Sequence, residues 1–518
     1  MRRSPMKRVA AMATALAVAG ATMLALAPAA GAADAPVTSN TASTRPTILN
    51  NAAGQAAGNV VLNVGAAVAT NTITLTLDDA DGDPNCSVGV DFVSFAAAPT
   101  TNQPDLTVGA PTNTGTCPAG VNNSVTLTAT DAFSGNVTIS NLSYSVGGTA
   151  GAGLVKLTAN GQTSNNAIIA SVGRIDGANR YATAANIAQT AFPCSTTAIV
   201  ASGENFPDAL AANFLAGHRN APVLLVTRTL VPSETAAAMV NLGVTDVIVV
   251  GGTEAVSNEV AGILATTEVG TCGRPGVDAP GTTKIGVSRI DGNTRYETAH
   301  LIAAAAGTSV GTFDAAGDCG TPVKTAILTS GPNYPDALAA GALSFQGSNN
   351  GAGCGDGLPL PLLLTEQATL NASAAAAIGG LDIANVIVIG GVQAVSDAVV
   401  ASVDALPDVT VIRISGATRQ ATATELAELL LSRGYDGEAF VARGDFFADA
   451  LVGGALAGVR IGPILLTAST SSLGAPATGF LADEESFNTA VLFGGIGALT
   501  NTVQDQVRAA FAGRSPTI

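Results

Sequence analysis

Arg174-Ile-Asp-Gly-Ala-Asn-Arg-Tyr181 returns as Arg289-Ile-Asp-Gly-Asn-Thr-Arg-Tyr296 and, altered, as Arg413-Ile-Ser-Gly-Ala-Thr-Arg-Gln420. From 174 to 289 is 115 residues and from 289 to 413 is 124. That period is the size of a small domain and too long for a solenoid. Three similar domains in tandem are expected, and the surrounding sequence says of what kind. The apolar run Ile168 to Ile175 reads as a buried strand, broken by Asp176-Gly177 and followed by helical composition from Tyr181 to Ala191. Three more strand-helix steps follow. Their strands are Ala198-Ile-Val-Ala-Ser202, Pro222-Val-Leu-Leu-Val-Thr227 and Asp246-Val-Ile-Val-Val250. Continuous Val/Ile/Leu strands are buried on both faces. A parallel sheet with helices on each side and right-handed crossovers is the expected unit. This order puts each phrase strand first in its own repeat.

Three polar features survive triplication. One is the Arg pair: Arg174/Arg180, Arg289/Arg295 and Arg413/Arg419. Another is the Asp ahead of an Ala-rich helix: Asp208, Asp336 and Asp449. The last is Gly-Gly after a strand: Gly251-Gly252, Gly390-Gly391 and Gly494-Gly495. All fall at carboxyl ends of strands, where open parallel sheets place ligands. Paired Arg suits carboxylate or phosphate, so the functional reading is an anion-binding edge. The structural alternative has Asp208 capping its helix and pairing with Arg180 of the same repeat, with Gly-Gly a tight turn. No nucleophile elbow or phosphate loop occurs. Glu204 and Asp208 form an acid/base pair only on paper, since Pro332 replaces Glu204 in the second copy. His218 and His300 have no counterparts in the other copies. No catalytic set emerges.

Ahead of the repeats, residues 1–32 read as an export signal: Arg2, Arg3, Lys7 and Arg8, an apolar stretch, then Ala30-Gly31-Ala32. Whether Arg2-Arg3 marks Sec or twin-arginine export stays open. Residues 33–59 lack periodicity and read as a flexible lead-in. From 60 to 165, Thr-rich alternation such as Asn71-Thr-Ile-Thr-Leu-Thr-Leu77 predicts a small β-sandwich. The acidic turn with Asp78, Asp79, Asp81 and Asp83 offers oxygen ligands for calcium but lacks a bidentate Glu. A solvated turn is the plainer reading.

The chain has 518 residues and a net charge of −16, or −20 once the four basic leader residues go, with 18 basic against 38 acidic left. So acidic a chain is a poor nucleic-acid ligand, and the lack of Trp argues against a stacking platform. No other segment reads as a membrane span. Six cysteines in an exported chain imply disulfides. Neighbouring pairs fit the layout: Cys86–Cys117, Cys194–Cys272 and Cys319–Cys354, the last four each preceding a strand.

The phrase, together with Pro207-Asp-Ala-Leu-Ala-Ala212, Pro222-Val-Leu-Leu-Val-Thr227 and Val247-Ile-Val-Val-Gly-Gly252, resembles the type 2 cell-wall-binding repeat of Gram-positive bacteria. The likeness runs from about residue 167 to 511. It implies three flavodoxin- or Toprim-like domains around a pseudo-threefold axis. It also implies non-covalent attachment to an anionic secondary wall polymer gripped between neighbouring repeats. Arg180, Arg295 and Arg419 are the contacts it points to, and the Leu-Leu pairs at 224–225, 363–364 and 465–466 match its aliphatic signature. The third copy departs from the pattern at Ser415, Gln420 and Ala448. The domains expected are then 166–272, 273–405 and 406–518. The function expected is anchoring at the cell surface without catalysis and without a cofactor. Two alternatives are an amidase-like wall hydrolase, because such anchors accompany hydrolase domains, and an adhesin whose β region binds glycan or protein.

Overall fold

The computed structural model describes residues 37–512 apart from 43–46, 50–51, 57–59, 80–91, 113–122, 141, 148–154, 161, 271–282, 308, 315–321, 334, 348–354, 485 and 488. The expected leader, Asp81 and Asp83 of the acidic turn, and Cys86, Cys117, Cys272, Cys319 and Cys354 lie outside the described residues. Cys194 is disulfide-bonded.

The repeats form a mixed α/β array of parallel sheets. In the first, the strands run Val223–Val226, Thr197–Ser202, Asp246–Val250 and Gly286–Ile290, all parallel. The last of these carries the second copy of the phrase. The second sheet is likewise completed by Thr410–Ile414, which carries the third copy. The third sheet is completed by Gln162–Ile175, which carries the first copy beside Thr489–Phe493. Each phrase strand therefore sits in the sheet of another repeat: 2 in 1, 3 in 2, and 1 in 3. This corrects the expectation that each would begin its own sheet. Strand composition marks burial on both faces but says nothing about which neighbour supplies the hydrogen bonds.

The helix after each phrase follows the same rule. Arg180–Ala191, Arg295–Ala304 and Arg419–Leu431 are capped by Asn179, Thr294 and Thr418, whose side chains accept from the first-turn amides. Arg295–Ala304 packs on Pro207–Arg219 of repeat 1 and Arg180–Ala191 packs on Ala448–Val459 of repeat 3. Arg419–Leu431 packs on the 3-10 turn Asp336–Ala340 of repeat 2. These receiving helices are Ala- and Gly-rich and buried nearly all round, as a helix apolar on every side must be. They also meet one another. At the meeting point, Asn213 faces Gly341 and Gly454, five residues after Asp208, Asp336 and Asp449 respectively. One turn on, Phe345 lies between Gly217 and Gly458. A Cβ on Gly217 would stand 2.0 Å from the Phe345 carbonyl oxygen, and one on Gly454 would stand 2.8 Å from the Asn213 amide. One large residue and two glycines fill each layer, because three large side chains would overlap at a shared centre. The Leu-Leu pairs are fully buried strand residues.

The N-terminal region is all β, with its own core from Leu62, Ile73, Leu75, Val125, Leu127, Val137 and their neighbours. The expected flexible lead-in is corrected. Val37–Ala42 pairs with Val60–Ala67, Thr47–Leu49 with Gln162–Ile175, and Ala52–Ala56 with Ser143–Gly147. Backbone pairing needs no hydrophobic period, so composition did not reveal it. The 14-residue strand Gln162–Ile175 pairs antiparallel with Val155–Ala159 through its first half and parallel with Thr489–Phe493 through its second. The β region and the third repeat thus share one strand instead of meeting through a linker. Among the described residues, no helix is long and apolar enough to cross a membrane.

Candidate functional site at the repeat junctions

The first Arg of each phrase is an inter-repeat clasp. Arg289 donates from Nη1 to the Gly251 carbonyl at 2.5 Å and from Nη2 to the Val256 carbonyl at 2.8 Å. Arg413 donates to the Gly390 carbonyl and Arg174 to the Gly494 carbonyl, both at 2.6 Å. The amides of the same three glycines donate to the carbonyls of Ile290, Ile414 and Ile175, the residues after those arginines. Both backbone groups of each glycine are therefore held by the next phrase. Their φ values of +97°, +117° and +105° are ones that L side chains rarely adopt. A Cβ at Gly251 would also stand 2.5 Å from the Asp208 carboxylate.

The second Arg braces its own repeat. Arg180, Arg295 and Arg419 donate to the carbonyls of Gly203, Gly331 and Gly444 at 2.6, 2.8 and 2.8 Å. Tyr181 and Tyr296 pack against Gly203 and Gly331. In the third copy Gln420 sends its amide to the Thr467 carbonyl instead.

The three Asp side chains sit against the Gly-Gly turns of their own repeats and, at two junctions, face the next phrase helix. Phe206, not Asp208, occupies the helix N-cap position and makes no side-chain cap bond. Burial raises the Asp208 pKa, opposed by a hydrogen bond to Thr298 and by the Arg295 charge. Asp449 is 6% exposed; burial pushes its pKa up to about 6, opposed by the charges of Arg180 and Arg443. The expected Asp208–Arg180 pair is thus replaced by Asp208 facing Arg295 and Asp449 facing Arg180. The phrase helix docks on the preceding repeat, which sequence proximity could not show. The carboxylate of Glu204 accepts from the Arg228 amide, while Asp208 is bonded to Thr298, so the two make no acid/base pair. His218 packs edge-on against Phe214 at 4.6 Å. No group of carboxylate, Cys or His side chains able to hold a metal occurs among the described residues.

Between repeats 1 and 2 these parts enclose a cleft of about 430 Å³. Asn205, Asp208, Gly252, Asp291 and Arg295 line it, with Thr253, Glu254, Asn293 and Thr294 at its walls. Asn205, Asp291 and Glu254 were not among the sequence candidates. The signal for them was spatial, because the turn before the helix and the phrase loop of the next repeat meet only in the fold. Asn, Thr and carboxylate groups around a concave space can hydrogen-bond a hydroxyl-rich ligand.

The chain matches the family described as Cell wall binding domain 2 (CWB2) over residues 174–261, 289–400 and 413–504. It is 27% identical over 298 residues to the N-acetylmuramoyl-L-alanine amidase LytC of Bacillus subtilis (strain 168), covering 57% of this chain and 50% of that protein. The chain therefore spans half the length of that curated relative. Among solved structures, Cwp6 from Clostridium difficile superposes with a TM-score of 0.53 at 17% identity, over 92% of this chain and 69% of that one. Cwp8 from Clostridium difficile gives 0.51 at 17% identity, over 89% of each. With three matched segments that coincide with the three phrases and their sheets, the chain belongs to the Cell wall binding domain 2 family and is a protein of the cell surface or cell wall.

Proposed function

We propose that this protein is held on the wall non-covalently, by an anionic secondary wall polymer lying in the crevices between repeats, and that it binds without turnover. The cyclic hand-off of phrase strands and helices supports three flavodoxin/Toprim-like units arranged about a pseudo-threefold axis. The observation that carries the reading is the cleft between repeats 1 and 2, lined by Gly252 and the residues that follow it and by the next phrase loop. Its described lining holds three carboxylates, from Asp208, Glu254 and Asp291, against the one guanidinium of Arg295. Recognition is therefore assigned to sugar hydroxyls, met by Asn205, Thr253 and Asn293, more than to polymer charge. The first arginines of the phrases are assigned to the scaffold, since each donates to a glycine carbonyl, and Arg174 and Arg413 also donate to Gln504 and Asp397.

The test uses the full chain, because the strand Gln162–Ile175 belongs to both regions. Binding to purified walls is measured before and after chemical removal of secondary polymers. Binding is expected to vanish with the polymer and to change little between low and moderate salt. Equal binding to stripped walls would sink the reading. Release of peptide from peptidoglycan would favour a hydrolase.

A further inference from the structure

One of the differences between the junctions lies three residues ahead of the helix Asp, where repeat 2 carries Asn333. Asn205 stands there in repeat 1 and Phe446 in repeat 3. Asn205 lines the open cleft between repeats 1 and 2, where Asp208 is half-buried and Arg295 is exposed. At the junction of repeats 3 and 1 the ring of Phe446 lies under the Arg180 guanidinium, 4.6 Å from its carbon, with Arg443 on it at 5.5 Å. Phe446 also stacks on Phe447 at 5.2 Å, and Phe447 meets Phe206 of repeat 1 at 6.1 Å. The Asp of this junction, Asp449, is buried and Arg180 is half-buried. The Asp that edges a crevice at one junction is buried at the other, and its Arg partner is half-buried there instead of exposed.

We infer that the junctions are not equivalent binding sites: Asn205 leaves the junction of repeats 1 and 2 open to a saccharide unit, whereas Phe446 fills the junction of repeats 3 and 1. This rests on the anchoring reading above. Phe446 then has a structural task, bridging repeats by a cation–π contact with Arg180. The residue before the Phe-Pro-Asp or Phe-Ala-Asp turn decides which crevices take ligand. An amide there offers a donor and an acceptor to sugar hydroxyls, and a phenyl ring in the same place occupies the space.

The experiment exchanges the two residues in the full chain and measures affinity for purified wall polymer, with thermal unfolding as the fold control. Asn205→Phe is expected to weaken binding by about tenfold or more, comparable to losing a central contact. Phe446→Asn is expected to hold or increase polymer bound per chain. Normal binding by Asn205→Phe overturns the inference. So does a matching loss in Phe446→Asn, which would mean that the ring itself stacks on sugar. If the unaltered chain shows no polymer-dependent binding, the anchoring reading fails first and the inference falls with it. Binding that is polymer-dependent but indifferent to Asn205→Phe removes the inference alone.

Discussion

The centre of the repeat array and its junctions use opposite chemistry for one task. At the centre, Asn213, Gly341 and Gly454 in one layer, and Gly217, Phe345 and Gly458 in the next, fix the helices mainly by shape, with a hydrogen bond from the Asn213 amide to the Leu451 carbonyl. At the junctions, arginines fix the loops by donating to glycine carbonyls. Close packing is unforgiving of a single added methyl. A hydrogen-bonded clasp is more tolerant, and it leaves a crevice where the backbone is held apart. Assembly is thus set by packing inside, and the crevices are shaped by the clasps outside.

That contrast can be broken first at the centre. Gly217→Val puts a branched side chain into the Phe345 carbonyl, and about 3 kcal/mol or more should be lost by chemical denaturation. A smaller loss would mean that the helices slide apart freely. Arg289→Ala tests the clasp. It removes bonds to two carbonyls, at Gly251 and Val256, and should cost about 2–3 kcal/mol. An unchanged unfolding midpoint would return Arg289 to the ligand-binding candidates.

Asp449 sharpens the comparison through pH. Its folded pKa of about 6 lies above the ordinary carboxylate value of 3.8, so the folded chain holds the proton more tightly. Its contribution therefore favours folding at low pH and is lost as pH rises from about 4 towards 6. Asp449→Asn should flatten that slope in the melting temperature between pH 4 and 7 and raise stability at neutral pH. The gain is on the order of 2 kcal/mol. A slope that persists in the variant would place its origin elsewhere. The smallest effect belongs to the exposed pair Arg228–Glu254, 3.1 Å apart at the rim. Arg228→Ala should change stability by less than about 1 kcal/mol, measured by the same denaturation.

Much of the fold was legible because it is local or repeated. The buried strands, the helical stretch after each phrase and the Gly-Gly turns follow from composition and spacing, whereas the caps at Asn179, Thr294 and Thr418 were seen only in the fold. The site was legible only in part. The Asp and Gly-Gly positions do reach a junction, but Asn205, Asp291 and Glu254 came with the fold. The first arginines, attractive as anion ligands, donate to glycine carbonyls of another repeat. Bare sequence cannot tell an Arg facing a phosphate from one facing a carbonyl. The lead-in at 37–56 failed for a related reason, since its strands are held by backbone pairing without an apolar alternation.

By itself, the sequence determined that one α/β unit occurs three times, and it determined the order of strand, turn and helix within each, because those rest on neighbours in the chain. Only the tertiary structure decided that each unit lends its phrase strand and helix to another, that Asp208 faces Arg295 and not Arg180, and that one glycine-flanked Phe345 fills a layer of the centre. Those choices depend on contacts between residues a hundred or more positions apart, where shape and unsatisfied backbone groups select the partner.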